Sequence, residues 1–272
     1  METKFYVFNL GYMEMDESFL VLHSHVASIR NPQRPAVWAK SPVLSFLVVH
    51  PEVKVLFDAG CDPLGMSEHW HPVLRSLFPY YGKEEERIEN RLAGVGLKPE
   101  DIDIVVASHL HNDHAGNLNL FPKAKILVHP AELSYALLMT RVKPQTILPY
   151  TLAYAKHDFE SESLNWELVE DDFEIAPGLE IITLGGHTPG ILGMVVHLKE
   201  TGTLICPSDA IYCRRNYGPP PRLPGNFYDS LGFFKTVSKV QQLQRRYKAK
   251  IFYPHDFEQA AKEMIPSPQY YA

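Results

Sequence analysis

Cysteine is scarce in this chain: three among 272 residues, at positions 61, 206 and 213. An odd, widely spaced set makes no disulfide framework, so the expectation is a reducing cytoplasm rather than a small stapled secreted domain. Long apolar runs are also missing. The longest, Val43 to Val49, is far too short to cross a bilayer, and no membrane partner is expected. The opening METKFYVFNLGYM has no basic stretch leading into an apolar one, so no secretory leader is expected. Runs of Lys or Arg stop at two residues and the formal charge is −6, which argues against nucleic acid as a ligand. Tandem repeats and low-complexity segments are absent. YGPPPRLPGN (217–226) is proline-rich but too short for an inter-domain linker, and reads as a shaped surface loop. What remains is a soluble chain, 45% hydrophobic, long enough to bury a substantial core. No break in composition divides it, so residues 1–272 are expected to form a single domain.

Strand-like runs dominate the pattern. They fall at 4–13, 43–49, 53–60, 102–108 and 124–129, then at 179–184, 193–198, 203–208 and 250–254. GKEEERIENRLAGVG (82–96) predicts a helix with an acidic first turn, Ile88 and Leu92 one turn apart, and glycines to stop it. Further helices are predicted at 130–139 and 230–247.

The run 102–108 delivers the chain to SHLHNDHAGN, where His109, His111, Asp113 and His114 crowd into six positions. No hydrophobic core calls for that string, which could be a polar loop, half of a metal site or a proton-transfer site. A strand ending at Ser108 would project His109 and His111 to one side, because side chains two apart share a face. Asp113 and His114 would follow in a turn, with Gly116 allowing a tight change of direction. Two divalent ions would fit between these pairs, given further ligands from elsewhere. The chain offers His187 in GGHTPG, Asp209 in PSDA and His255 in YPHD, each where a strand gives way to a loop. One sheet edge could therefore gather them all. Taken singly, each has an ordinary reading: His255 as a loop or core residue, Asp209 as a turn cap, His187 as a loop residue. Joint occurrence with HxHxDH favours the metal reading. His23, His25, His50, His69, His71, His129, His157 and His197 carry no such signal, and Cys206 reads as strand packing.

The HxHxDH string with a distal His, Asp and His resembles the metallo-β-lactamase superfamily. The resemblance runs from LFDAG (56–60) through SHLHNDHAGN, GGHTPG and SDA to YPHD. Within that superfamily the chain looks most like the N-acyl-homoserine lactonases, on EERIENRLAGVGLKPEDIDIVVASHLH, DAIY (209–212) and YPHDFEQ (253–259). This implies an αββα sandwich, two mixed sheets flanked by helices. By position, His109, His111 and His187 would hold one metal, Asp113, His114 and His255 a second, and Asp209 would bridge them. Zinc is the implied ion, though such donors also accept Mn, Fe or Co. Asp58 matches a position that orients ligands from behind. The implied reaction is attack of a metal-bridging hydroxide on a lactone carbonyl, with Tyr212 at the developing oxyanion and Asp113 protonating the leaving oxygen. A small lactone that serves as a quorum signal is the implied substrate.

Departures bear on substrate. Many relatives carry Phe between the second His and the Asp, where this chain has Asn112. Residues 30–40 and 217–226 lack a close counterpart and could line the pocket mouth. Met13, Met15, Phe19 and Trp38 are candidates for an acyl-chain wall, although such residues near an N-terminus are more often core. The same ligand set would also serve a lactonase for aromatic or pyridoxine-type lactones, or a glyoxalase-type thioesterase. A zinc β-lactamase usually has Cys or another donor in place of Asp209 and is exported. A flavin-linked di-iron protein alters the HxH region, a nuclease adds basic surfaces, and a binding module would have lost ligands.

Overall fold

A strand buried on both faces needs an apolar side chain at nearly every position. VLSFLVV meets that demand and forms the body of β2 (Trp38–Val49) in the computed structural model, which describes residues 2–142 and 152–272. β2 lies in a seven-stranded sheet with β1 (Lys4–Asp16), β3 (Lys54–Phe57), β4 (Tyr80–Tyr81), β5 (Ile104–Val106), β6 (Lys125–Val128) and β7 (Asn165–Leu168). The order is β4-β1-β2-β3-β5-β6-β7, antiparallel up to β3 and parallel from there on. A second sheet, ordered β12-β11-β10-β9-β8, contains β8 (Phe173–Ala176), β9 (Leu179–Thr183), β10 (Leu192–Leu198), β11 (Gly202–Cys206) and β12 (Lys250–Ile251). Only its β11–β12 pair is parallel. Both sheets are mixed.

Alternation along the strands sorts the core into three layers. Phe5, Val7, Leu44, Phe46 and Val48 point into the space between the sheets and meet Leu179, Ile181, Leu192 and Met194. Cys206 packs there too. Tyr6, Phe8 and Leu47 point the other way, towards Leu92 and Ala136 of the helices Ile88–Ala93 and Pro130–Arg141. On the far side of the second sheet, Val195 and Ile205 pack on Phe233 and Val237 of the helix Ser230–Tyr247. Asp229 caps that helix by accepting from the Leu231 and Gly232 amides. Fully burying a side chain such as Phe233 contributes roughly 1.5–3 kcal/mol, so the helix is held by its apolar face more than by its cap. The layers run helix, sheet, sheet, helix, as expected.

One irregularity positions the cavity described below. The register of β1 on β2 shifts between Asn9 and Tyr12, at Gly11 (φ +109°), whose amide is taken by the Asn9 side chain. The extra residue reverses the alternation. Met13 and Met15 thereby join Tyr6, Phe8 and Leu10 on one face, instead of opposing them.

Two expectations need amendment. The helix predicted over 82–96 divides into a short 3-10 turn, Glu84–Glu86, and the helix Ile88–Ala93. The acidic residues act as caps: the Glu86 carboxylate accepts from the Lys83 amide, and the Asn90 side chain donates to the Glu84 carbonyl. Strands β7 and β8 were not predicted. NWEL and FEIA are short and largely exposed, so neither carries an apolar run.

Candidate metal centre

All seven predicted donors converge where strands end. His109 and His111 follow β5, and Asp113 and His114 sit in the short helix Asn112–Ala115, with His111 at its N-cap. His187 follows β9, Asp209 lies in the turn Ser208–Ala210 after β11, and His255 follows β12. Two sheet edges supply them, not one: the contiguous string belongs to the seven-stranded sheet, the other three donors to the five-stranded sheet. Gly116 also differs from expectation. Its φ of −58° is open to any residue, and its role is close approach, because a Cβ there would run into the backbone at Cys61 and Asp62. Gly186 is the glycine that needs its conformation: φ is +109°, and a Cβ would lie 2.6 Å from the backbone of Phe233.

Asp209 is central. Its Oδ2 lies 3.3 Å from His187 Nε2 and 3.7 Å from His109 Nε2. Its Oδ1 lies 2.9 Å from His255 Nε2 and 3.2 Å from His114 Nε2. Asp113 Oδ2 is 3.4 Å from His114 Nε2 and 3.5 Å from His255 Nε2, and His111 Nδ1 is 3.0 Å from His187 Nε2. The ligand atoms of His109, His111 and His187 lie within 4.8 Å of one another, as do those of Asp113, His114 and His255, and those of His109, His114 and Asp209. Every one of these residues is buried.

The imidazoles are oriented from behind. His114 Nδ1 bonds Asp58 Oδ2 at 2.8 Å, His109 Nδ1 bonds Ser108 Oγ at 3.0 Å, and His255 Nδ1 bonds Ser41 Oγ at 2.8 Å. His187 Nδ1 lies 3.2 Å from both the Asn226 carbonyl and the Tyr212 hydroxyl. With Nδ1 engaged, Nε2 of each of these four rings faces the centre, as metal-ligating imidazoles require, whereas His111 turns Nδ1 towards His187. Asp58 also takes the Ser108 amide at 2.9 Å, and Ser108 Oγ meets Ser208 Oγ at 2.7 Å, tying the two sheet edges together. Asp58 and Ser208 hold their positions with φ of 64° and 48°.

Do these residues fit metal ions? His109 Nε2, His114 Nε2 and Asp209 Oδ1 are buried and have no hydrogen-bond partner among the described residues. Leaving such atoms dry and unbonded costs about 1–3 kcal/mol each. Lone pairs of nitrogen and oxygen that converge without hydrogen-bonding geometry suit cations, and two of the ligand groups share no member, which leaves room for two.

Electrostatics divides the cluster. Burial holds His109, His111 and His187 below the ordinary imidazole range, so these rings are neutral. For His114, burial opposes protonation, but the carboxylates of Asp209, Asp113 and Asp58 prevail and raise it well above that range. His255 is raised against burial by Asp209 and Asp113. Burial likewise opposes ionisation of Asp113 and Asp209, yet His114 and His255 keep both below the usual carboxylate range.

Tyr212 is buried, its ring 5.0 Å from His255 and 5.2 Å from His187 between centroids. Burial first, then Asp209 and Asp113, lift its phenol well above the ordinary value. It lines a cavity whose polar end holds Asp113 and Asp209 and whose wall includes Met13, Met15, Phe19, Leu20, Leu74 and Phe78. Trp38 is not in that wall: it is half exposed and donates to Glu14. Residues 30–37 are exposed and do not reach the cavity, whereas the 217–226 loop reaches it through Asn226. Asn112 lines the cavity with its Nδ2 buried and without a hydrogen-bond partner among the described residues.

Sequence reasoning missed several supporting residues. Ser108 had a signal, standing directly before the first histidine. Ser41 and Ser208 had none. Glu132, fully buried in the helix Pro130–Arg141, accepts from the Leu110 amide at 2.9 Å and from the Tyr154 hydroxyl at 3.1 Å, fixing the HxH turn from behind. Burial raises its carboxyl above the usual range despite these donors.

The sequence profile of the Metallo-beta-lactamase superfamily matches residues 38–207. The chain belongs to that superfamily. The metallo-β-lactamase chain is also 34% identical, over 96% of both sequences, to the N-acyl homoserine lactonase AiiB of Agrobacterium fabrum (strain C58 / ATCC 33970). It is 27% identical to an N-acyl homoserine lactonase of Bacillus thuringiensis, over 86% of this chain and 88% of that one. Its fold matches an N-acyl homoserine lactone hydrolase solved with N-hexanoyl-L-homoserine at its catalytic metal centre, with a TM-score of 0.83, 24% identity and 99% of each chain covered.

Proposed function

We propose that this metallo-β-lactamase chain is a two-metal hydrolase that opens the ring of N-acyl-homoserine lactones, and so degrades a quorum signal. The observation that carries the reading is the shared carboxylate of Asp209 between two groups of donors at the polar end of an apolar cavity. Relatives named as lactonases over nearly the whole chain support it. His109, His111 and His187 are the ligands of one ion, Asp113, His114 and His255 those of the other, and Asp209 serves both. Zinc is the ion we assign, and Mn, Fe or Co suit the same nitrogen and oxygen donors. When bound, such ions lower the pKa of a water to about 7 and draw charge from a carbonyl oxygen.

The chain's own residues do the rest. Tyr212 keeps its proton, because its buried phenol is raised, and can donate it as a hydrogen bond to the lactone carbonyl oxygen as negative charge develops there. Asp113 borders the cavity as a carboxylate, so it can take up the proton that the attacking water releases and pass it to the ring oxygen as the ester bond breaks. Met13, Met15, Phe19 and Phe78 shield the acyl chain from water. Asn112 leaves a donor free for the substrate's amide carbonyl. We take residues 1–272 to act as one catalytic domain. No described helix is long and apolar enough to cross a membrane. Three free, buried cysteines favour the cytoplasm.

The test is metal content together with ring-opening rates on acyl-homoserine lactones of varied chain length, aromatic lactones and glutathione thioesters. Fastest turnover is expected on the acyl-homoserine lactones. A metal-loaded protein that turns over no lactone overturns the reading.

A further inference from the structure

The segment 58–62 carries an acid at each end. Asp58 faces the seven-donor centre through His114. Asp62 faces a different cluster, built from two histidines that carry no signal in the sequence. The ligand atoms of Asp62, His69 and His157 lie within 4.8 Å of one another. Asp62 is anchored: its Oδ1 accepts from the Leu64 amide at 2.8 Å, and its Oδ2 engages His69 Nδ1. The His157 ring stacks on His69 with centroids 3.7 Å apart and planes at 24°. Its helix, Lys156–Phe159, is pinned by Asn119, whose side chain donates to the His157 carbonyl at 3.1 Å.

A buried acid lies beside this cluster. Asp158, next to His157, is fully buried, and neither of its carboxylate oxygens has a hydrogen-bond partner among the described residues. A buried acid without donors beside another carboxylate needs a counter-charge or a proton. The other charged groups nearby are committed or peripheral. Glu160 is bound by Arg141 and Thr140, with Lys156 at 3.7 Å, and Glu68 is exposed at 4.0 Å from His69 Nε2.

We propose that Asp62, His69 and His157 form a peripheral binding site for one further divalent cation of the zinc, cobalt or nickel class. Two imidazoles and a carboxylate select that class over calcium or magnesium, which take oxygen ligands. The exposed side of His157 leaves the remaining positions to water, so the ion exchanges with solvent. Bound there, it cross-links the segment that carries Asp58 and Asp62 to the helix Lys156–Phe159. The assignment does not depend on the lactone chemistry.

The experiment compares the full-length holoprotein with His157→Ala and His69→Gln after equilibrium dialysis against micromolar free zinc, counting ions per chain by elemental mass spectrometry. Wild type is expected to hold one ion per chain more than either variant, with lactone turnover of the variants close to wild type. His157→Ala is the deciding variant, since removing an exposed ring leaves packing intact. Calorimetric titration of zinc into holoprotein should show a binding event that this variant lacks. Equal ion counts in wild type and His157→Ala, or an unchanged titration, overturn the proposal.

Discussion

The two halves of the seven-donor centre contain similar side chains but behave as electrical opposites. At His109, His111 and His187 burial outweighs the pull of Asp209, and the rings stay neutral. His114 and His255 face Asp113 and Asp209, and hold protons as counter-ions when no cation is there. The contrast teaches how one cluster can prepare for two ions in different ways. The first half offers lone pairs without giving up a proton, whereas a cation entering the second must displace protons.

The largest test of that division removes what the halves share. Asp209→Ala should lose metal from both and abolish lactone turnover; full occupancy in the variant, measured by elemental analysis, rules out sharing. Tyr212→Phe removes no donor, only the hydroxyl that meets His187 Nδ1. It should lower kcat about 10²–10³-fold, the range for loss of one oxyanion donor, with metal content unchanged; an unaltered kcat removes Tyr212 from the chemistry. Asp58→Asn acts directly on His114 and reaches His109 only through Ser108, so it should weaken metal binding in the His114 half about 10–100-fold and in the His109 half less. Equal weakening of both halves would mean that Asp58 supports the whole cluster. The smallest effect is a pH slope. His114 and His255 are raised in the metal-free fold, so they remain protonated to higher pH than free imidazole and cation entry releases their protons. Affinity of that half should therefore rise with pH through neutrality, more steeply than that of the lowered His109 half. Chelator competition across pH measures both slopes, and parallel slopes erase the distinction.

Much of the site was legible in the sequence because HxHxDH packs four donors into one short, chemically unusual string. The strand-end positions of His187, Asp209 and His255 were legible for the same reason: apolar runs mark strands, and each run stops just before a donor. What supports the donors was not. Glu132 lies in a helix with little apolar face, and its partner Leu110 is 22 positions away, a pairing no local pattern encodes. Ser41 bonds a ring 214 positions distant. His69 and His157 look like isolated surface histidines until the fold stacks one ring on the other.

By itself, then, the sequence marked most of the strands and the candidate donors, because periodicity and residue chemistry are local properties, while the four-layer sandwich was legible only through the family resemblance. Tertiary structure decided their arrangement. It drew donors from two sheet edges, and it used the bulge at Gly11 to turn Met13 and Met15 into the cavity. It also set neutral imidazoles on one side of Asp209 and charged ones on the other. Those outcomes depend on burial and on distances between residues far apart in the chain, and both arise only when the chain closes on itself.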